Sequence, residues 1–338
     1  TEAVGQVLCH DITQIIPGVT KDAVFRKGHI IREEDIPVLL SVGKDSVYIW
    51  ENDETMMHEN DAAEVLYRMT ANEHMHPSDV KEGKIEVIAD TEGLLKVDRE
   101  KLKKVNAFGE MMIATRHGNT VVKKGDKLAG TRIIPLVIKK DKMQEAEKIC
   151  DGTPILKILP FTVKKAAIIT TGNEVYHGRI KDAFTPVIEQ KIAEFGAEMM
   201  FHEIFDDNDR KITDGCLRAI EAGADIVFCT GGMSVDPDDK TPLAIKNTGA
   251  EMISYGSPVL PGAMFLLSYY RKGDKVIPIC GLPGCAMYNR RTIFDLVLPR
   301  LMAADPVTAD ELASLGEGGL CLNCKVCTFP NCGFGKGW

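Results

Sequence analysis

No apolar run in the chain approaches the roughly 20 residues that a membrane-spanning helix requires. Positive charge is in short supply as well. Lys and Arg number 41 against 49 Asp and Glu, a formal net charge of −8, which argues against a nucleic-acid groove as the main surface. Internal repeats and low-complexity stretches are missing, so the chain reads as neither a solenoid nor a disordered tether. No signal peptide opens it. It begins at Thr1 and not at a methionine, so a leader is not excluded, and the cytoplasm is the expected compartment. With 338 residues, 44% of them hydrophobic and 27% charged, two or three domains with sizeable cores are expected. Cysteine is abundant, at 10. Cys9, Cys150, Cys216, Cys229, Cys280 and Cys285 are scattered, and those inside apolar runs such as "IVFCT" read as reduced core residues. The other four crowd the last stretch.

From Lys165 onward, apolar runs alternate with amphipathic segments. "AAIIT" reads as a short buried strand. "TPVIEQKIAEFG" reads as a helix capped by Thr185, with Pro186 in its first turn and Gly196 at its end. "EMMFHEIF" is a second strand and "DRKITDGCLRAIEAG" a second helix with Ile212, Cys216, Ala219 and Ile220 inward. "ADIVFCT" is a third strand, apolar enough for burial on both faces. "DKTPLAIKNTG" is a third helix, "KVIPICGLPG" holds a fourth strand, and "AMYNRRTIFDLVLPRLMA" is a last helix kinked at Pro299. This alternation predicts an α/β domain over residues 151–306, a parallel sheet covered by helices. Right-handed crossovers place all its strand C-termini on one edge, where open α/β sheets bind ligands. Residues 1–150 read as a β-rich region, with two subdomains and a dimer contact expected of it. Strands are expected in "VLCHDITQIIP", "IEVIAD", "MMIATRHG" and "VVKKGDKLAGTRIIPLVI", helices in "NDAAEVLYRMT" and "REKLKKVNAF", and a linking helix in "IKKDKMQEAEKI". Residues 307–338 form a cysteine-rich tail.

Each of the four later strands runs out into a polar loop: "TTGNEV", "FDDND", "TGGMSVDPDD" and "GLPG". Thr171, Thr230 and Ser234 offer hydroxyls. Gly172, Gly231, Gly232 and Gly284 let backbone N–H groups approach an anion closely, and Gly281 and Pro283 either join them or shape the turn. Carboxylates in such loops would repel a phosphate unless a cation stood between. Glu174, Asp206 and Asp239 are therefore expected to hold Mg²⁺ against it. The alternatives are helix caps for Asp206 and Asp239 and a solvated loop position for Glu174. Capping is the expected role of Asp209, and His177 lies either at the cleft mouth or in solvent. Chemistry of this kind on every loop of one edge favours a phosphate site.

At these spacings "TTGNE", "TGGMSVDPDDKTP" and "CGLPG" resemble the molybdopterin-binding domain of molybdenum-cofactor biosynthesis proteins, over about Lys165 to Ala303. The molybdopterin molybdenumtransferases resemble it most, and related domains occur in molybdopterin adenylyltransferases and competence-damage-type proteins. The resemblance implies a three-layer α/β domain that binds molybdopterin, or its adenylated form, with Mg²⁺, and a homodimer. By motif, Asp206 matches the family's essential acid after its second strand, Asp239 the acid before its Thr-Pro pair, and Glu174 the acid of its Thr-Gly-x-Glu loop. Asp182 lies near an Asp that often follows that loop. The chain also departs from the molybdenumtransferases. Where they carry Pro-Gly-Lys-Pro, suited to gripping molybdate or phosphate, it has "VLPGAMF", with Leu260, Ala263 and Met264 in place of charge and proline. Their N-terminal Met-Asp-Gly-Tyr-Ala stretch has no counterpart, though "AVFRKGHII" offers Arg26, Lys27 and His29. Cys285 stands where an Asn usually follows Leu-Pro-Gly. Two functions fit. In one, the chain is an enzyme that inserts molybdate, with Arg26, Lys27 and Lys240 as candidate cations for the oxyanion. In the other, it is a non-catalytic carrier or maturation factor that holds the cofactor near a molybdoenzyme. A nucleotide pyrophosphatase on the same scaffold is a third reading.

The tail reads "CLNCKVCTFPNCGFGKGW". Cys321, Cys324, Cys327 and Cys332 follow a C-x2-C-x2-C-x4-C pattern, short enough for thiolates to converge on one metal or cluster. It resembles a ferredoxin cluster run, which has three residues before its last cysteine and a proline after it, whereas Pro330 comes before Cys332 here. An iron–sulfur cluster and a four-thiolate Zn²⁺ site are both expected candidates, and unliganded thiols are the alternative. The final glycines read as an exposed, partner-binding end or a frayed terminus. His74 and His76, in "EHMHP", form an H-x-H pair that suits either a metal or a polar turn.

Overall fold

The structure, a computed structural model, describes residues 2–49 and 53–337. Its contacts divide into two compact units. One comprises Thr1–Thr91, Val97–Arg116 and Lys124–Lys157, the other Glu92–Lys96, His117–Lys123 and Ile158–Trp338. Among the described residues, no helix is long and apolar enough to cross a membrane.

Antiparallel pairing dominates the first unit. Its largest sheet runs Met75–Pro77, Lys84–Ala89, Lys127–Ile133, Met111–Thr115, each antiparallel to its neighbour. Ile12–Ile16 and Thr20–Phe25 form a hairpin, and Met56–His58 pairs with Val137–Lys139. The helix Glu59–Thr70 buries Ala62, Leu66 and Met69. The helix expected to link the two halves, Lys140–Cys150, belongs to this unit instead. It buries Met143, Ala146 and Cys150, an apolar stripe at helical spacing that a solvated linker would have no use for.

The second unit holds the expected α/β domain on six strands: β1 (Lys165–Thr171), β2 (Glu198–Phe205), β3 (Ile226–Thr230), β4 (Glu251–Tyr255), β5 (Leu266–Lys272) and β6 (Lys275–Leu282). The sheet order is β2-β1-β3-β6-β5-β4. The first four of these are parallel, while β5 runs antiparallel to both β6 and β4. The two extra strands correct the expectation of a four-stranded, all-parallel sheet. Lys272 pairs with Lys275, so the chain turns straight back between β5 and β6, and a tight hairpin of this kind joins only antiparallel strands.

Alternation along the strands creates three layers. Ala166, Ile168, Ile226 and Phe228 pack with Ile188 and Ile192 of α1 (Phe184–Ala193) and with Phe294 and Val297 of α4 (Ile293–Met302). Ala167, Ile169, Val227 and Cys229 pack with Ile212, Cys216 and Ala219 of α2 (Asp209–Glu221) and with Ile245 of α3 (Thr241–Asn247). Each large side chain so buried contributes about 1.5–3 kcal/mol. The apolar residues of β3 thus serve two cores, as its unbroken run requires. Helix α4 starts later than its sequence pattern. Residues 284–287 form a 3-10 turn, and a capping box opens α4: the Thr292 hydroxyl accepts from Phe294 N–H, and Asp295 accepts from Thr292 N–H. Pro299 lies inside the helix.

Two segments from the first half of the chain complete the second unit. Gly93–Val97 pairs with Thr120–Val122 and with Leu156–Leu159 in a small sheet. Val121 packs on the α1/α4 core, and the Lys96 ammonium meets the Asp305 carboxylate at 2.8 Å.

Candidate functional site

The parallel strands β1, β2, β3 and β6 end together, so the four polar loops do share one edge. Hydrogen bonds tie them to one another. Gly172 N–H donates to the Phe205 carbonyl at 3.1 Å, and Asn173 N–H donates to the Asp207 carboxylate at 3.1 Å. The buried Thr171 hydroxyl donates to the Thr230 carbonyl at 3.1 Å and lies 2.9 Å from the Thr241 hydroxyl at the start of α3. Gly231 and Gly232 both have positive φ. A Cβ on Gly231 would fall 2.1 Å from the Thr171 carbonyl oxygen, and one on Gly232 would fall 2.8 Å from the Thr241 hydroxyl. The two glycines therefore let the loop after β3 lie directly on the end of β1.

Within this frame, two polar atoms lack partners. Thr230 is fully buried, and its hydroxyl makes no hydrogen bond among the described residues. One carboxylate oxygen of Asp206, Oδ1, is likewise buried without a partner, while the other accepts from the Lys211 ammonium at 2.7 Å. Only His10 Nδ1 shares that state among the described residues. An unmade hydrogen bond of a buried group costs about 1–3 kcal/mol, and two of the three such atoms among the described residues lie on this edge. The hydrogen bond to Asp206 holds the Lys211 amine above its ordinary pKa. Asp206 is not a helix cap, and neither is Asp209. Asn208 caps α2 by accepting from Lys211 N–H. Asp239 closes the loop after β3 instead, accepting from Asp236 N–H at 3.2 Å. Glu174 is exposed on the one-turn helix Asn173–Tyr176. Ser234 and Gly284 are exposed, and Pro283 is buried. Gly281 is buried inside β6, where a Cβ would fall 2.5 Å from the Met233 side chain.

Comparison with known proteins bears on this edge. Residues 167–303 match the family model described as "Probable molybdopterin binding domain". Residues 167–303 belong to the molybdopterin-binding domain family. Residues 1–51 match a domain of unknown function, DUF8806. A "Putative competence-damage inducible protein" of Bacillus cereus (strain B4264) is 30% identical over 129 residues, covering 38% of this chain and 30% of that protein. A protein of the same description from Bacillus subtilis (strain 168) is 32% identical over 85 residues, 25% of this chain and 20% of that protein. The chain thus spans less than a third of the length of these relatives. Among solved structures, the tungsten cofactor synthesizing protein MoaB from Pyrococcus furiosus is 18% identical, with a TM-score of 0.36, over 43% of this chain and 98% of that one. The protein CinA from Thermoplasma acidophilum is 17% identical, with a TM-score of 0.33, over 41% of this chain and 98% of that one.

The molybdopterin-binding domain also holds a polar cluster that the sequence pattern did not reveal. Asp182, not Thr185, caps α1, accepting from Phe184 N–H at 2.8 Å and Thr185 N–H at 3.1 Å. Its other oxygen accepts from the hydroxyls of Thr170 at 2.9 Å and Thr185 at 2.6 Å. His202 of β2 sits 3.1 Å from the Thr170 hydroxyl and 3.2 Å from that of Thr185. Burial alone would raise the Asp182 carboxyl, but these four hydrogen bonds outweigh it and hold the pKa below the usual aspartate value. Tyr255 of β4 was missed as well, because its strand was. Its hydroxyl donates to the Met233 carbonyl at 3.0 Å and pins the loop after β3.

The remaining candidates separate. Arg26, Lys27 and His29 lie in the first unit, where His29 pairs with Asp35 at 2.6 Å. Lys240 turns its ammonium to the Pro237 carbonyl. His177 is exposed beside Tyr176. His76 pairs with Asp90 at 2.7 Å and His74 with Glu73 at 3.5 Å; His74 lies in a turn, as the polar-turn reading has it, but His76 belongs to the strand Met75–Pro77. The segment at Leu260 has a different use here. Leu260 N–H donates to the Gly319 carbonyl, and Cys321 N–H donates to the Leu260 carbonyl, both at 2.8 Å. The C-terminal tail is thus folded onto the domain and not frayed. Phe334 is buried in the α4 core, and a Cβ on Gly335 would fall 2.3 Å from Leu296 of α4. Cys321, Cys324, Cys327 and Cys332 are all unpaired and line one cavity of about 530 Å³. Among the described residues, no three His, Cys, Asp or Glu side chains are arranged to hold a single metal ion.

Proposed function

We propose that this edge binds the phosphate end of molybdopterin, free or adenylated, together with Mg²⁺, in the synthesis of the molybdenum cofactor. The observation that carries the reading is the pair of unpartnered buried atoms, Thr230 Oγ1 and Asp206 Oδ1. One is a hydroxyl suited to a phosphate oxygen, the other a carboxylate oxygen suited to a hard cation. Among the described residues, Asp239 and Glu174 are not drawn together with Asp206 into a three-carboxylate site; Asp206 Oδ1 alone would meet Mg²⁺ carried in with the phosphates, which when bound neutralises their charge. The Thr230 hydroxyl and the N–H groups of Gly172, Gly231, Gly232 and Gly284 would orient the phosphates. Lys211, paired with Asp206, adds a cation beside them.

If turnover follows, the reaction is cleavage of the adenylate with transfer of molybdate to the dithiolene, and these residues act by position and charge. A specific observation favours a second reading, a carrier that holds the cofactor for a molybdoenzyme. The stretch around Leu260, where molybdenumtransferases are expected to grip an oxyanion, anchors the tail here and carries no charge. Adenylated molybdopterin, Mg²⁺ and molybdate, mixed with the chain, test both readings. Mg²⁺-dependent binding supports the site, and its absence overturns it. AMP release that is lost in Asp206→Ala marks an enzyme, whereas tight binding without AMP release marks a carrier.

A further inference from the structure

We infer that the cavity between the end of β6 and the C-terminal tail binds a planar aromatic anion, a heterocycle that carries a phosphate or a carboxylate. The cavity measures about 530 Å³, within the range of roughly 300–1,000 Å³ that takes a small organic ligand. One wall comes from residues 288–291 and the other from residues 318–334, so the tail's half lies beyond the residues 167–303 that match the family. Charge selects the ligand. In a chain of net charge −8, Arg290, Arg291 and Lys325 line this cavity, and no Asp or Glu does among the described residues. Neither Arg290 nor Lys325 forms an ion pair among the described residues. Arg290 spends one N–H on the Lys325 carbonyl at 3.1 Å, which ties its guanidinium to the tail with donors left over. Arg291 has the Asp295 carboxylate behind it at 2.8 Å. Asp295 also answers Lys191, and Glu194 adds a smaller electrostatic pull on Arg291.

The ring requirement comes from the rest of the wall. The Arg291 guanidinium lies over Phe329, 4.8 Å from the ring centroid, and a guanidinium on one ring presents its opposite face to a second. Leu320, Leu322 and Phe334 are apolar, and the four free cysteines beside them behave as small, soft hydrophobes. An inorganic anion would leave this wall wet, and a neutral ring would leave the cations unanswered. The frame is already fixed. Phe334 is buried in the α4 core, Cys321 N–H donates to the Leu260 carbonyl at 2.8 Å, and a Cβ on Gly335 would fall 2.3 Å from Leu296. Little ordering is therefore left to oppose binding. Only the 3-10 turn of residues 284–287 separates Tyr288 from the phosphate edge, about 8 Å at the rise of such a turn. The cavity thus neighbours the guest of that edge, yet its assignment does not rest on that guest.

Titration calorimetry of the full chain in reducing buffer without Mg²⁺, with AMP and separately with pterin-6-carboxylate, tests the assignment and tells a purine from a pterin. At least one of the two should bind. Adenosine or pterin, which lack the charge, and ribose 5-phosphate, which lacks the ring, should bind at least about 10-fold more weakly. Arg290→Ala and Lys325→Ala, both at exposed positions, should each weaken binding about 10-fold, the worth of one charge-assisted hydrogen bond, with circular dichroism unchanged. Phe329→Leu, which keeps an apolar side chain in place, should weaken it in the same direction. Asp206→Ala, at the phosphate edge, should leave it unchanged. Binding of neither probe, equal binding of the probes that lack charge or ring, or a loss in Asp206→Ala without one in Arg290→Ala would each overturn the inference. A chain that takes AMP in this way and fails to bind molybdopterin would sink the phosphate site and leave the cavity standing.

Discussion

Asp206 is the residue whose two oxygens do different things. Oδ2 answers Lys211, and Oδ1 is buried without a partner. Replacing it with alanine removes one ion pair with a half-exposed lysine, worth no more than about 1 kcal/mol. Thermal unfolding of Asp206→Ala should therefore stay near that of the parent chain, while Mg²⁺-dependent affinity for molybdopterin, followed by titration calorimetry, falls about 10-fold or more. A large loss of stability with unchanged affinity would make Asp206 structural. Asp182 gives the opposite expectation. It caps α1 and holds two hydroxyls, so Asp182→Ala should cost about 1–3 kcal/mol in urea unfolding. Its folded pKa is depressed. Its contribution is then complete above the unfolded aspartate value of about 3.9 and is lost as pH falls through the lower folded value. Stability against pH should accordingly fall less steeply on the acid side in Asp182→Asn than in the parent, and parallel curves would refute the coupling.

Loops and strands show what could be read before the fold was known. The buried strands β1 and β3 announced themselves by unbroken apolar runs, and the loops by glycine and aspartate crowding after each run. Strands β4 and β5 did not, because "EMISY" and "LLSYYRK" mix polar and apolar residues. Nor did the Asp182 cluster, since Thr170, Thr185 and His202 meet only through strand pairing and helix packing. The glycines were legible as flexible positions, but their reasons differ. Gly231 has positive φ and no room for a Cβ beside Thr171, whereas Gly284 has nothing within 4 Å of where one would stand. Gly231→Ala should cost roughly 2–4 kcal/mol by strain and collision. Gly284→Ala should leave stability within about 0.5 kcal/mol and weaken guest binding if that backbone meets a phosphate. Calorimetric melting temperatures of the two variants check the contrast, and equal losses would defeat it.

At the scale of the whole molecule, chain order and structural unit do not coincide. The second unit takes Glu92–Lys96 and His117–Lys123 from within the first half of the sequence, a loan invisible to patterning because a short strand looks the same whichever core it serves. The loan has energetic content. Val121 packs on the α1/α4 core. Lys96 pairs with Asp305, whose carboxylate also accepts from the nearly buried guanidinium of Arg300. Gly93 lies so close to Ile158 and Leu159 that a Cβ would fall 2.6 Å from either. A chain beginning at Ile158 would expose the surface under Val121, leave Ile158 and Leu159 without the strand they pair with and remove one partly buried cation from Asp305. The combined loss, about 1.5–3 kcal/mol for the apolar side chain and up to about 1 kcal/mol for the ion pair, should lower the urea midpoint of the molybdopterin-binding domain relative to the same domain within the full chain. Val121→Ala in the full chain should reproduce part of that shift, and hydrogen exchange should quicken at Leu159. Were the shortened chain as stable as the parent, these segments would contribute nothing to the unit in which they lie.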